Sequence, residues 1–371
     1  MSPNKLFIGL FTLILPAFSF AQSLTFAPDG GNKKAVVSER IGITDVTIRY
    51  DRPGVKGREG KIWGQLVHYG FKDLGFGTSK AAPWRAGANE NTTFTFSTDV
   101  LIEGKPLKAG TYGFFIAMSP TDATLIFSNN STSWGSFFYD EREDAVRVVV
   151  KTIPLSESVE RLKYEFSDQQ EKSAVVSLIW EKLKIPVTIE VDYIRTQLES
   201  FRRELRNKEG FEPNAWVEAV NFCVEHNTNL DEALVWADYA INGVFVGQKN
   251  FKTLSCKASV LNKLNRSVEA DSLLKQAMPF ANMQELHAYG RQLLRQNKPK
   301  EALEAFKLNA QKNPNLFTTN MGLMRGYSAN GDFKNALKYA KAAQQMAPDK
   351  GNKDALEKFI PMLEASKDIN Q

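Results

Sequence analysis

Three arginines, Arg52, Arg58 and Arg85, fall in a stretch that also carries Trp63, His68, Tyr69, Trp84, Asn89 and Glu90. A guanidinium group keeps its charge and presents a planar fork of donors, which suits carboxylate, phosphate or carbonyl oxygens. Trp63, Tyr69, Trp84 and, further along, Trp134 offer flat faces on which a sugar or an aromatic ring can stack. Asn89 and Glu90 add a neutral and an anionic acceptor. Arg52, Arg58, His68, Trp84, Arg85, Asn89 and Glu90 therefore form a candidate ligand-binding set, suited to a glycan or a small anion. The same side chains have a structural use. Arg85 can pair with Glu90 or bond loop carbonyls, and Trp63 and Trp84 can pin the segment to a core, because a long loop must satisfy its own backbone groups.

Catalysis finds less support. Asp51 with Glu90 would make a carboxylate pair, and His68 a general base that titrates near neutral pH. No nucleophile is set beside that base, and Gly-x-Ser-x-Gly, His-Glu-x-x-His and Gly-x-x-x-x-Gly-Lys-Ser/Thr patterns are all missing from the sequence. Gly75 to Lys80 contains glycines but lacks the strand-to-helix setting of a phosphate cradle. Three scattered histidines and two distant cysteines show no metal-ligand spacing. The expectation is a protein without catalytic residues, metal or cofactor.

These residues lie on one segment, Tyr50 to Glu90, far longer than the roughly 12–15 residues at which structureless loops become uncommon. Strand-like sequence flanks it. Gly42 to Tyr50 alternates, with Val46, Ile48 and Tyr50 on one face and Thr47 and Arg49 on the other. Further strands are expected at 92–97, 100–102, 111–117, 123–128, 145–151, 161–166, 173–180 and 186–191, separated by turn chemistry such as Glu103-Gly104-Lys105-Pro106. Short strands without crossover helices predict an all-β sandwich or barrel, not a parallel α/β sheet.

Several spaced motifs resemble the secreted bacterial family called domain of unknown function 2911 (DUF2911). They are Thr44 to Pro53, Lys56-Gly57-Arg58, Ile62-Trp63-Gly64, Leu66 to Gly70, Trp84 to Glu90, Glu103-Gly104-Lys105, Ala109 to Gly113, and Trp134-Gly135-Ser136 with Tyr139-Asp140. The likeness runs from about Val36 to Val191. It departs from the family pattern at His68, where Pro is usual, and at Phe71–Pro83, which reads as an insertion. The resemblance implies a β-rich exported domain and no established chemistry.

At about Val191 the period changes. Ile194, Leu198, Phe201 and Leu205 mark one stripe of an amphipathic helix. Aligning 283–316 with 317–350 places Ala302 on Ala336 and Pro314 on Pro348, an offset of 34 residues. That is the period of tetratricopeptide (TPR) repeats, which these units resemble. Asn214–Asn250 and Phe251–Asn282 read as degenerate units anchored by Ala233 and Ala270, and Lys353–Ala365 as a capping helix. Such arrays present a concave surface to a peptide or protein. Residues 283–350 hold 11 Lys or Arg against 5 Asp or Glu, which favours an acidic partner, with Asn309, Asn313, Arg291 and Lys307 as minor contributors.

The net charge of +5 over 371 residues is too small to propose nucleic acid. Lys5, the apolar run Leu6–Phe20 and Ser19-Phe20-Ala21 form a signal peptide cleaved near Ala21, too short for a membrane span. Cys223 and Cys256 are expected to be reduced core thiols. The sequence thus predicts an α+β multidomain protein: a leader at 1–21, a β-sandwich at 22–191 and a TPR-like helical array at 192–371. The expected function is that of a periplasmic or secreted, non-enzymatic adaptor. The alternative is a carbohydrate- or small-molecule-binding protein or hydrolase with its site in the 50–90 loop.

Overall fold

The computed structural model describes residues 31–370, so the expected leader lies outside the described residues. The chain divides into two compact units, Met1–Tyr193 and Ile194–Gln371.

The first unit is built from β1 (Lys33–Ile41), β2 (Thr44–Arg52), β3 (Thr92–Phe96), β4 (Val100–Ile102), β5 (Lys105–Leu107), β6 (Gly110–Met118), β7 (Asp122–Ser128), β8 (Asp144–Lys151), β9 (Ile153–Ser167) and β10 (Ser173–Glu190). They form two antiparallel sheets, ordered β1-β2-β3-β6-β7-β8 and β5-β4-β10-β9. Alternation decides which faces turn inward. On β2, Val46, Ile48 and Tyr50 are buried while Asp45 and Arg49 are exposed. Phe94, Phe114 and Phe127 of one sheet share a core with Leu162, Tyr164 and Trp180 of the other. Each such side chain contributes about 1.5–3 kcal/mol on burial.

Two strands were not legible. Edge strand β1 turns Val36 outward, 58% exposed, while its inward positions Ala35, Val37, Glu39 and Ile41 include a charged residue, so the apolar pattern does not announce the strand. The short β5 is Lys-Pro-Leu, whose proline is tolerated at a sheet edge. Conversely, the two segments expected at 173–180 and 186–191 are one strand, β10. The chain passes the intervening polar residues through a bulge at Glu181, whose φ is +51°.

The short β3 leaves part of its neighbour unpaired. β3 covers β6 only from Gly110 to Phe114. Beyond that point the 50–90 loop takes over the edge: Trp84 N–H donates to the Ile116 carbonyl (2.9 Å), Ile116 N–H to the Trp84 carbonyl (2.8 Å), and Gly70 N–H to the Met118 carbonyl (2.7 Å). The loop is therefore tied to the sheet by backbone pairing as well as by its side chains.

In the second unit the helices are α1 (Tyr193–Glu204), α2 (Pro213–Glu225), α3 (Leu230–Asn242), α4 (Phe251–Lys263), α5 (Ser267–Ala277), α6 (Met283–Arg295), α7 (Pro299–Lys312), α8 (Phe317–Ala329), α9 (Phe333–Gln345) and α10 (Lys350–Glu364). They pack as the hairpins α2/α3, α4/α5, α6/α7 and α8/α9, with α10 against α9. One device closes the first helix of every hairpin. Asn227, Asn265, Asn297 and Gly331 take left-handed conformations just past α2, α4, α6 and α8. The next N–H returns to a carbonyl of the last turn: Thr228 to Cys223 (3.0 Å), Arg266 to Leu261 (2.8 Å), Lys298 to Leu293 (2.9 Å) and Asp332 to Tyr327 (3.0 Å). These bonds satisfy otherwise orphaned carbonyls and turn the chain toward the second helix.

Small residues bring the helices together. Ala302, Ala336 and Ala343 are fully buried, and Phe306 fills the space over Gly290, Gly322 and Gly326. Cys223 and Cys256 are buried free thiols. Asn309 is also buried, and its amide donates to the Met283 carbonyl (2.8 Å), so it braces α7 against the start of α6 and is not available to a partner.

Candidate functional site

The 50–90 loop begins by clamping itself. Arg52 Nε donates to the Leu162 carbonyl of β9 (2.8 Å). Arg58 donates through Nε to the Val55 carbonyl (2.9 Å) and through Nη2 to the Gly54 carbonyl (2.7 Å). On β10, the Glu181 carboxylate accepts from Gly60 N–H (3.2 Å) and Lys182 N–H (2.8 Å), using the bulge to hold the loop from below.

Further on, three indoles form one block. The ring of Trp84 lies 6.0 Å from that of Trp180 at an interplanar angle of 21°. Trp63 stands edge-on to both, at 5.8 and 5.9 Å. Trp84 Nε1 donates to the Gly87 carbonyl (3.2 Å), closing the turn that follows it. That turn holds Ala86 at φ +51° and Asn89 at φ +54°, a region L-residues seldom enter. The Ala86 carbonyl accepts from the Tyr164 hydroxyl (2.8 Å) and the Thr92 hydroxyl (3.1 Å), bonds that hold the unusual backbone in place.

Beside this block lies a cleft of about 580 Å³ lined by Lys56, Arg58, Leu66, Trp84, Arg85 and Trp180 among others. Of the expected set, Arg58, Trp84 and Arg85 line it, while Arg52, His68, Asn89 and Glu90 do not. Arg85 Nη1 donates to the Asn89 carbonyl (2.8 Å), and its guanidinium lies 5.4 Å from the centre of the Trp134 ring. Burial pulls the Arg85 pKa below its ordinary value, against the opposing pull of Asp51. Glu90 pairs with Lys34 on β1, not with Arg85. Nδ1 of His68 is buried with no hydrogen-bond partner among the described residues. Asp51 is 3% exposed, so its pairing with the exposed Glu90 as an acid–base couple has no support in this geometry.

Lys56 and Trp180 escaped the sequence reading. Lys56 stands in the Lys56-Gly57-Arg58 motif, but the direction of its side chain depends on the turn. Trp180 comes from β10, far away in sequence, and only sheet packing brings it under Trp84. A second cleft of about 510 Å³ lies between 71–81 and 138–147. There the Tyr139 hydroxyl donates to Asp144 Oδ2 (2.7 Å) and Arg147 Nη2 contacts the same hydroxyl (2.6 Å). Burial and the Asp144 carboxylate raise the Tyr139 pKa, so the phenol keeps its proton.

The helical unit has its own recess. About 320 Å³ lie between α2, α4 and α6, the first helices of three successive hairpins. Asn221, Ser255, Ser259, Asn262, Tyr289 and Gln292 are among its lining residues. Nearby on α6, burial, with Arg291 and Arg325 adding repulsion, lowers the His287 pKa to about 4. Among the described residues no group of three or more His, Cys, Asp or Glu side chains gathers as a metal site, and no helix is long and apolar enough to cross a membrane.

Residues 32–189 match the family model described as a protein of unknown function, DUF2911. No curated protein matches the chain. Among solved structures the chain is similar to YrrB, described as a TPR protein with an unusual peptide-binding site, at 18% identity and a TM-score of 0.29, covering 46% of this chain and 88% of that one. It is similar to a tetratricopeptide repeat protein from Parabacteroides merdae at 15% identity and a TM-score of 0.31, covering 47% and 71%. A third likeness, to MamA MSR-1 C2, has 15% identity and a TM-score of 0.27, covering 42% and 90%.

Proposed function

We propose that this chain is an exported, non-enzymatic binding protein whose helical array receives an extended segment of another protein. The recess between α2, α4 and α6 carries the reading. Its amides and hydroxyls, from Asn221, Ser255, Ser259, Asn262 and Gln292, can bond peptide N–H and carbonyl groups, and Tyr289 supplies an apolar wall. The surplus of Lys and Arg over 283–350 favours an acidic segment. Export rests on the leader pattern from Lys5 to Ala21, and recovery of mature protein beginning at Gln22 from the cell envelope or medium tests it.

Selection of a random peptide library on the full chain tests the binding reading. Enriched peptides should compete with one another and be lost from Ser259→Trp, which puts a large ring into the recess from an exposed position. No enrichment, or equal binding to Ser259→Trp, refutes it. A second reading, small-molecule handling in the β-unit, is favoured by a narrower observation: Arg58, Trp84 and Arg85 converge on one cleft.

A further inference from the structure

The geometry points to the chemical class that this cleft takes. We propose that it binds a small molecule carrying an oxyanion, carboxylate or phosphate, on a flat apolar body, an inference that rests on the small-molecule reading of the same site.

The charge in the cleft is one-sided. Lys56, Arg58 and Arg85 line it, and its lining includes no Asp or Glu. None of the three makes an ion pair among the described residues. Three carboxylates lie nearby, and each is otherwise engaged or enclosed. Glu90 is paired with Lys34. Glu160 accepts from the backbone N–H of Lys56 (3.2 Å). Asp51 acts on Arg85 through space, but it is almost wholly buried, with Oδ1 unpaired among the described residues. A half-buried guanidinium whose protein acceptors are carbonyls alone has lost hydration that those bonds return only in part, and an oxyanion would supply the rest as charge-assisted hydrogen bonds.

The donors are also held in position. Arg58 commits Nε and Nη2 to carbonyls and keeps Nη1 free of protein partners among the described residues. Arg85 commits Nη1 and keeps Nε and Nη2. Each fork is thus fixed at one side and open at the other, which lowers the ordering cost of binding. The body of the ligand meets an apolar wall of Trp84, Trp180, Leu66 and Val67, and the indole block keeps Trp84 from turning away.

The test titrates the full chain with benzoate, phenyl phosphate and neutral benzamide, read by calorimetry and by tryptophan fluorescence. At least one anion should saturate with a Kd near or below about 1 mM, and benzamide should bind at least about tenfold more weakly, a difference of about 1.4 kcal/mol. Which anion binds separates a carboxylate ligand from a phosphorylated one. Lys56→Gln, at an exposed side chain, should weaken the anion several-fold with an unchanged Tm. If benzamide binds as tightly as benzoate and Trp84→Leu abolishes both, the site stands and the anionic class falls. No saturation by any probe up to about 10 mM overturns both. Anion binding that Lys56→Gln and Arg85→Gln leave unchanged lies elsewhere and overturns the assignment.

Discussion

Replacing Gly290 by alanine sets two known effects against each other. Gly290 lies inside α6, where alanine is favoured over glycine by about 1 kcal/mol on propensity alone. Here a Cβ would stand 2.4 Å from Cε1, 2.6 Å from Cζ and 2.8 Å from Cδ1 of Phe306. The ring cannot retreat freely, because Cβ positions built on Gly322 and Gly326 lie 2.6 Å from its Cδ1 and 2.9 Å from its Cδ2 and its exposure is 0%. Overpacking of this kind costs about 1–3 kcal/mol, so Gly290→Ala should be net destabilising by about 1 kcal/mol. For a unit of this size that corresponds to a fall of about 2–4 °C in the melting temperature of the helical transition, followed by circular dichroism. In a Phe306→Leu background the same substitution should become neutral or stabilising, a coupling of at least about 0.5 kcal/mol in the double-mutant cycle. A Gly290→Ala protein more stable than the parent refutes the reasoning, since propensity would then have won. Tyr289 and Gln292 on α6 also line the recess between α2, α4 and α6, so a shift of this helix would alter that recess.

Three further outcomes follow from the structure. Burial pushes the thiol of Cys223 up to about 11 and that of Cys256 up to about 12, so neither should react with a thiol reagent at pH 8 until denaturant is added; rapid labelling of the native chain would contradict this. His287 titrates at about 4 in the fold against about 6.5 when unfolded, so the unfolded chain binds the extra proton between those values. Stability of the helical unit should therefore fall on acidification through that window, by on the order of 1 kcal/mol after allowance for partial exposure, and His287→Gln should flatten that part of a denaturation series against pH. Glu90→Gln removes a surface pair with Lys34 and should change stability by less than about 1 kcal/mol, whereas a large loss would show Glu90 to be a structural pin.

The parts of the fold that repeat at short range were readable. The alternation in β2, the glycine and proline turns and the 34-residue offset beginning at Met283 all report local geometry. The upstream hairpins blurred because their lengths vary, yet Asn227 and Asn265 mark the ends of α2 and α4 as Asn297 marks that of α6. Ala233 and Ala270 are fully buried as anchors of those units, and the asparagines fix where each first helix ends.

The candidate site was legible in kind but not in membership. Arg52 and Arg58 fall in equally suggestive motifs, and only the carbonyl each reaches separates the clamp on β9 from a donor beside the cleft. Glu90 has the right charge to pair with Arg85, but edge strand β1, which shows no clean apolar alternation, brings Lys34 to it instead. Trp180 illustrates the general obstacle. A tryptophan on a strand carries no sign of which loop will lie across it.

The segment from Asp73 to Ala81 hangs from a closed neck. Lys72 and Ala82 exchange both backbone hydrogen bonds, at 3.1 and 2.9 Å, before the chain reaches the Trp84 pairing with β6. Beyond that neck the segment is held by the Ser79 N–H, which donates to the Phe137 carbonyl (3.0 Å), and by Phe76, edge-on to Phe137 and Phe138. Phe137 stacks in turn on Trp134, the ring beside the Arg85 guanidinium, so changes at Phe76 or Ser79 reach the cleft through aromatic contacts, and a tag or foreign epitope belongs at the exposed turn around Gly75.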